Sequence, residues 1–395
     1  MPIYLKKDKV EKQLKNYMFM DQFPKIGGYD FDEDFDFKKF LDSYINMGFQ
    51  GSNFGKAVKI FENMLEEKKK GMKFWMSFTG NMISSGNREI IRFLVKNSII
   101  DGVTTTASAI EEDIIKCIKP FHLGSFDVQG KFLSDECIGR IGNILVPYDR
   151  YAYFERFFNN FLNSIIEKHN KKIFGASELT QEIGIYSEKD ELTRENCKDS
   201  FLFWAAKNKV PVFCPGITDG AIGDMTVFYR QKNPEFMIEV AKDHSLITSL
   251  MQNADKTGCI ILGGGIAKHY LLNAALYREG FDSSIYITTA AEFDGSDSGG
   301  NQEEAISWAK IKPDAQRVKI VADATLIFPL LVASVIFWPQ LYPRVQTKYR
   351  RIAMGILGFL VVLPIIFWQV RHVSWIPENS AFSRPKTSSA RDLKR

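Results

Sequence analysis

The chain has 395 residues, which suits one large domain with extensions or two to three smaller domains. Lys and Arg number 51 against 47 Asp and Glu, a formal charge of +4, which is far from the balance of a protein that wraps nucleic acid. Hydrophobic residues make up 45% and charged residues 25%, values that exclude wholesale disorder, collagen and a multi-span membrane protein. We therefore expect a globular protein that binds no nucleic acid.

The five cysteines are scattered without CxxC spacing, so neither a disulfide framework nor a metal site is predicted. The N-terminus lacks the apolar h-region and the small-residue cleavage site of a secretory signal. We expect residues 1–27 to form a charged helical extension and the body of the protein to be cytoplasmic.

From about residue 73 to residue 330 one pattern recurs: a short apolar run ends in Gly, Ser, Thr or Asp, and a segment with helical periodicity follows. Six such runs are KFWMSF, DGVTTT, VPVFCP, GCIIL, SIYITTA and RVKIVA. Strands that alternate with helices pair in parallel and carry helices on both faces. The sequence predicts an α/β protein with a doubly wound, mostly parallel sheet, in which residues 185–200 form a solvated insertion.

Three polar clusters at the predicted strand ends suit a dinucleotide. In doubly wound sheets, ligands bind beyond the carboxyl ends of the strands, where helix N-termini present free N–H groups to anions. Gly263, Gly264 and Gly265 follow one strand, and the segments 79–86 and 104–108 are rich in hydroxyl groups. The GxGxxG fingerprint is absent, and tight turns and helix caps remain alternative interpretations.

Residues 292–304 contain five carboxylates and neither Lys nor Arg, a local field that suits a cationic ligand. A solvated turn or a calcium loop is the alternative, although the spacing is not that of an EF-hand. Lys310 closely follows Trp308, and an aromatic neighbour that desolvates a lysine favours the neutral amine needed for imine chemistry. His269 suits proton transfer, but an ordinary lysine and a structural histidine also fit. The residues alone predict a dinucleotide-binding enzyme with an acidic pocket and a candidate imine-forming lysine.

The same residues resemble the deoxyhypusine synthase family. The segments that carry the resemblance are, in order, GFQGSNFGKA, ISSGNRE, EEDIIKC, RIGNILVP, ITDGAIGDM, GGGIAKH, EFDGSDSGGNQEEAISWAKI and VKIVADATLIFPLLVA. They fall within residues 28–333, which would form the catalytic domain. The resemblance implies a Rossmann-like NAD-binding fold and a cytoplasmic homotetramer with active sites between subunits.

The activity that the resemblance implies begins with NAD-dependent cleavage of spermidine. The 4-aminobutyl group then passes through an enzyme lysine imine to a lysine of the eukaryotic translation initiation factor 5A precursor, the first step of hypusine formation. By motif, Lys310 would form the imine and His269 would assist proton removal.

The resemblance also implies two binding sets. Spermidine would be held by carboxylates, polar groups and one tryptophan: Glu111, Glu112, Asp224, His269, Gly295, Ser296, Asp297, Glu304 and Trp308. NAD would contact residues at the strand ends: Gly80, Asn81, Met82, Ile83, Ser84, Thr106, Ala107, Ser108, Asp219, Gly264, Thr289, Ala290, Asp323 and Ala324.

Two positions depart from the family pattern. The family usually has Gly-Gly where this chain has Ser108-Ala109, and Thr-Ser-Asn where it has Thr79-Gly80-Asn81. We expect the side chain of Ser108 to crowd the cofactor.

Residues 334–395 form an atypical tail, because the family continues with a short, polar helical end. The segment 352–370 has 19 residues without a charge, which is long enough to span a bilayer. Basic residues lie on both sides of it, so the positive-inside rule gives little orientation. A membrane anchor and a fused or misread reading frame are left as equal alternatives.

Two other functions compete with the synthase interpretation. Homospermidine synthase is similar to this family and uses putrescine as acceptor, and the site residues barely distinguish it. A non-catalytic regulatory paralogue in a hetero-tetramer is the other alternative, although such a paralogue would be expected to lack the catalytic lysine that Lys310 supplies here.

Overall fold

The computed structural model describes residue 20 and residues 22–32 and 34–337. Most of the predicted N-terminal extension and the predicted membrane segment at 352–370 lie outside the described residues. Among the residues that are described, no helix combines the length and apolarity needed to cross a bilayer.

A six-stranded sheet forms the centre of the described chain, and all of its neighbouring strands pair in parallel. Its order is β11-β10-β9-β1-β2-β7. The six strands are β1 (Lys73–Phe78), β2 (Gly102–Thr104), β7 (Val212–Phe213), β9 (Thr257–Leu262), β10 (Phe281–Thr288) and β11 (Ile311–Val321). Each of the six predicted apolar runs contributes one strand, so the predicted doubly wound α/β fold is confirmed.

Two smaller sheets accompany the central one. A three-stranded antiparallel sheet has the order β3-β5-β4, and a two-stranded parallel sheet pairs β6 with β8. Their strands are β3 (His122–Leu123), β4 (Ile138–Ile141), β5 (Ile144–Pro147), β6 (Ile173–Phe174) and β8 (Met237–Ile238).

The helices connect these strands in chain order. They are α1 (Phe37–Ser43), α2 (Phe49–Lys69), α3 (Asn81–Ser84), α4 (Asn87–Lys96), α5 (Ala107–Ile118), α6 (Gly130–Asp135), α7 (Asp149–His169), α8 (Ala176–Tyr186), α9 (Phe201–Asn208), α10 (Ala221–Lys232), α11 (Val240–Gln252), α12 (Gly265–Ala275), α13 (Gln302–Ser307) and α14 (Ala324–Val332). A π-helical segment, Ala333–Phe337, follows α14.

The strand side chains alternate between two cores, because successive residues of a strand point to opposite faces. In β1, Phe74 and Met76 pack in one core while Trp75 packs in the other. In β10, Ile285 packs in the first of these cores and Tyr286 in the second. The sheet is therefore buried on both faces, and its carboxyl edge is where loops and polar side chains collect.

The core continues beyond α14. Val335 is 4% and Ile336 7% exposed, and the ring of Phe337 lies 5.1 Å from that of Phe93. Residues 334–337 therefore pack with the main body, and the predicted domain boundaries stay predictions.

Candidate active site

A cleft of about 580 Å³ opens beside the loop that follows β10. Seven of the residues predicted for catalysis or spermidine binding line it: His269, Gly295, Ser296, Asp297, Glu304, Trp308 and Lys310. The remaining predicted polyamine residues, Glu111, Glu112 and Asp224, are not among its lining residues. The structure thus divides the predicted polyamine set into two groups.

Lys310 is fixed between a helix end and a strand start. Ala309 adopts a left-handed conformation with φ of 52°, which closes α13 and turns the chain towards β11. The backbone N–H of Lys310 donates to Ala305 O at 2.9 Å, and its carbonyl accepts from Phe281 N at 3.1 Å. The backbone of Lys310 is therefore held from both sides while its side chain faces the cleft.

Trp308 leaves one ring face open to the cleft. Trp308 is 65% exposed, and Nζ of Lys310 lies 6.0 Å from the centroid of its ring, at the outer limit of a cation–π contact. Within one chain the ring therefore covers Lys310 only partly. Its free face is available to an apolar chain such as a run of methylene groups.

His269 and Asp297 meet across the cleft. Nδ1 of His269 lies 3.1 Å from Oδ1 of Asp297, within hydrogen-bond distance. Oδ2 of Asp297 is buried and has no hydrogen-bond partner within the described part of the chain. A buried carboxylate oxygen without a donor is costly, so this atom favours a ligand that brings an N–H donor.

Glu111 and Glu112 lie on α5, which follows β2. Oε1 of Glu111 accepts from Ile222 N at 2.8 Å and so caps the N-terminus of α10. Glu112 is 4% exposed and accepts a hydrogen bond from Ser84 Oγ. Burial raises the pKa of Glu112 to about 7, and the nearby Glu111 also raises it, whereas the bond from Ser84 opposes the shift. Burial also raises the pKa of Glu111.

Asp224 completes this second group, and Asp219, which was predicted to contact NAD, lies near it. Both are exposed, Asp219 just before α10 and Asp224 in its first turn. Both carboxylates raise the pKa of Glu111, because like charges disfavour its ionised form. The second group is therefore a carboxylate cluster between β2 and β7, separate from the cleft.

The predicted cofactor residues all lie at the carboxyl ends of the central strands. Gly80–Ser84 follows β1, Thr106–Ser108 follows β2 and Gly264 follows β9, whereas the other members follow β7, β10 and β11. Gly80 N donates to Thr106 Oγ1 at 3.0 Å, which joins the first two segments. Asp323 instead caps α14 by accepting from Thr325 N at 2.8 Å.

These segments fit a dinucleotide. The N-termini of α5 and α12 have no side-chain cap within the described chain, so their N–H groups can receive an anion such as a pyrophosphate. Gly264 also admits close approach: a Cβ there would lie 2.4 Å from Cα of Ser298. That contact explains the glycine without a cofactor as well, because it lets the loop after β10 pack against α12.

Sequence reasoning assigned no role to several residues that line the cleft: Lys268, Leu272, Asn273, Leu276, Gly300, Asn301 and Ala305. Asn273 lies four residues after His269 on α12, and residues at that spacing share a helix face. The helical pattern could therefore have identified Asn273. Over the described residues, no three His, Cys, Asp or Glu side chains are grouped to hold a metal ion.

Comparison with known proteins gives a consistent result. Residues 39–335 match the deoxyhypusine synthase family model. A relative described as "Probable deoxyhypusine synthase" from Methanocaldococcus jannaschii is 47% identical over 298 residues, covering 74% of this chain and 90% of the relative. The deoxyhypusine synthase of Senecio vernalis is 41% identical over 335 residues, covering 78% and 88% of the two chains.

A solved structure is also similar, described as "a putative deoxyhypusine synthase from Entamoeba histolytica". It has 30% sequence identity and a TM-score of 0.56, covering 79% of this chain and 97% of that one. The similarity to the family thus extends over nearly all of the described residues.

Proposed function

Because the chain belongs to the deoxyhypusine synthase family, we propose that it transfers the 4-aminobutyl group of spermidine to a lysine of the translation initiation factor 5A precursor, with NAD as cofactor. The observation that carries the proposal is the cleft in which Lys310, His269 and Asp297 meet. A lysine amine, a proton-transfer group and a carboxylate with one oxygen available to an ammonium group are what this chemistry requires.

Asp297 and Glu304 would bind the polyamine. Oδ2 of Asp297 is buried without a donor, and Glu304 lines the same cleft. Each carboxylate would accept a charge-assisted hydrogen bond from an ammonium group, and the free face of Trp308 would cover the methylene chain between them. His269, held against Asp297, would take the proton from the secondary amine as that nitrogen loses its charge.

NAD, when bound, accepts a hydride from spermidine and returns it at the end of the cycle. The segments at 80–84 and 106–108, together with Gly264, would hold it at the strand ends. The amine of Lys310 would attack the oxidised carbon, form an imine and release the three-carbon diamine. The acceptor lysine would then displace Lys310 from that carbon.

Transfer of labelled aminobutyl groups tests the proposal. Wild-type chain should label the translation factor only when NAD is present, and Lys310→Arg should reduce transfer by at least about 10³-fold because arginine cannot form the imine. Lys312→Arg is the matched control, since Lys312 lies two residues further along the chain, on β11, and pairs with Asp282 at 2.7 Å outside the cleft. It should transfer at the wild-type rate.

Offering putrescine as acceptor separates the two enzyme hypotheses. Labelled homospermidine formed in place of labelled factor would replace the proposed function by homospermidine synthase. A well-folded wild type that transfers to neither acceptor would contradict both and favour a regulatory subunit.

A further inference from the structure

Two lysines hold the loop of the cleft by its backbone. Nζ of Lys268 donates to Asp297 O and, at 3.0 Å, to Gly300 O. Nζ of Lys319 donates to Gly299 O at 2.5 Å. Three carbonyl groups within four residues of one loop are thus bound by ammonium groups. Lys268 comes from α12 and Lys319 from β11, so each ammonium is carried by a regular element beside the loop.

We propose that Lys268 and Lys319 are positioning residues, which fix the segment Asp297–Gly300 through its carbonyls and leave Oδ2 of Asp297 available to the ammonium group of a polyamine. The proposal rests on the proposed function and extends it to two lysines without a predicted role.

The geometry at Lys268 distinguishes this role from a salt bridge. Its ammonium contacts the backbone oxygen of Asp297, and no ion pair joins its Nζ to the Asp297 carboxylate within the described chain. Its two carbonyl bonds and the ring of Tyr286, whose centroid lies 5.0 Å away, surround the ammonium. A salt bridge would occupy an oxygen of the Asp297 carboxylate, whereas a bond to the carbonyl leaves Oδ2 available to a ligand.

The loop depends on such external bonds because its glycines leave it few side-chain contacts. A Cβ at Gly299 would lie 2.1 Å from Ala291 O, and one at Gly300 would lie 2.7 Å from Oε2 of Glu304. Gly299 must therefore stay small because its contact is with backbone, whereas a side chain at Gly300 would displace the carboxylate of Glu304. A glycine segment also loses much conformational entropy on ordering. The two ammonium groups supply bonds that fix one arrangement.

A lysine also binds backbone carbonyl groups at the predicted cofactor segment 80–84. Lys116, on α5, donates from Nζ to Ile83 O at 2.8 Å, Ser85 O at 3.2 Å and Ser84 O at 3.3 Å. It thereby holds the end of α3, which belongs to the predicted cofactor segment. Because each loop has its own lysine, removal of one ammonium should affect one ligand and spare the other.

The experiment measures binding of both ligands to four variants of the full-length chain. Labelled spermidine and NAD are titrated separately by equilibrium dialysis against Lys319→Met, Lys319→Arg, Lys116→Met and Lys256→Met. Methionine keeps the apolar stem and removes the donor. Lys256 is the control, since it pairs with Glu67 at 2.6 Å at the start of β9, on the opposite edge of the sheet.

We expect Lys319→Met to weaken spermidine binding by about tenfold with NAD binding changed less than about twofold, since a bond to a charged donor is lost at one loop alone. Lys319→Arg should recover most of the affinity, and Lys116→Met should show the reverse selectivity. Lys256→Met should change neither. Lys268 is buried, so its replacement would disturb folding more than replacement of the half-buried Lys319. The test therefore uses Lys319.

Equal weakening of both ligands by Lys319→Met, or none of either, would overturn the positioning role. Failure of the proposed function has a different signature: a wild-type chain without this chemistry would bind neither spermidine nor NAD, and a homospermidine synthase would bind both but label putrescine in place of the factor.

Discussion

The side chain of Ser108, from the neighbouring loop, occupies the space in which a side chain at Gly80 would lie. A Cβ added at Gly80 would lie 1.9 Å from Oγ of Ser108, closer than any real contact. Oγ of Ser108 also lies 3.1 Å from Oγ1 of Thr106, the group that receives Gly80 N. The two departures from the family pattern therefore compensate each other: the loop with the smaller residue, Gly80, packs against the loop with the larger residue, Ser108. The effect of Ser108 on the cofactor stays a prediction.

This compensation predicts non-additive substitutions. Gly80→Ser alone should lower the free energy of unfolding by about 1–3 kcal/mol, because overpacking forces Ser108 or the backbone to move. The double variant Gly80→Ser with Ser108→Gly should recover most of that loss, which is a positive coupling in a double-mutant cycle. Urea unfolding at one fixed protein concentration measures it.

Gly86→Ser is the control for this cycle, since nothing lies within 4 Å of a Cβ added there. It should stay within about 0.5 kcal/mol of wild type. If the double variant loses as much free energy of unfolding as the two single variants lose together, the compensation between Gly80 and Ser108 is refuted.

At the scale of elements, one buried ion pair ties three helices together. Nε of Arg88 on α4 donates to Oδ1 of Asp113 on α5 at 2.7 Å, and both residues are buried. The same carboxylate accepts from Ser200 Oγ at 2.5 Å and from Leu202 N at 3.1 Å, at the start of α9. The position of α5, and with it that of Glu111 and Glu112, therefore depends on this pair.

Arg88→Met should consequently lower the free energy of unfolding by about 3–5 kcal/mol, because it leaves the Asp113 charge buried without its cation. Arg92→Met on the same helix is the matched control: its pair with Asp199 is partly exposed and should contribute less than about 1 kcal/mol. Chemical denaturation of both variants compares them directly. Similar small losses would mean that α5 is held by its apolar contacts instead.

The sequence predicted the six central strands because buried parallel strands are continuous apolar runs that end in turn residues. It placed β11 too late, at RVKIVA, whereas the strand begins at Ile311. Pro313 and Asp314 disguise its first half, and proline is tolerated there because β11 is an edge strand.

The predicted solvated insertion at 185–200 was wrong in part. Ser187, Thr193 and Ser200 are each about 0% exposed. Thr193 Oγ1 donates to Ser187 O at 2.7 Å, so the structure satisfies these polar groups internally. Composition alone cannot separate a hydrated polar side chain from one bonded to a distant carbonyl. For the same reason, no local pattern marks the lysines that bind loop carbonyls from other elements.

At the scale of the whole molecule, the predicted polyamine residues form two separate groups within one chain. The cleft adjoins β9, β10 and β11, while the second carboxylate group follows β2 and β7. Three strand intervals separate β2 from β10, which corresponds to about 14 Å at the usual spacing. If the active sites lie between subunits, as the resemblance to the family implies, a second copy of the chain brings the missing group to each cleft.

Mixing two inactive variants tests this shared site. Lys310→Ala disables the cleft and Asp224→Ala disables the second group, so each chain should be inactive alone. When the two are unfolded and refolded together, half of the two-fold pairs are mixed, and one of the two sites in each mixed pair contains neither substitution. Aminobutyl transfer should then recover to about a quarter of the wild-type rate. A mixture of Lys310→Ala with His269→Ala is the control, because both residues line the cleft. Every chain in that mixture carries an altered cleft, so no pair contains an intact site and the mixture should stay inactive. Recovery in neither mixture would place the whole site within one chain, whereas an Asp224→Ala chain that is active alone would leave Asp224 outside the polyamine set.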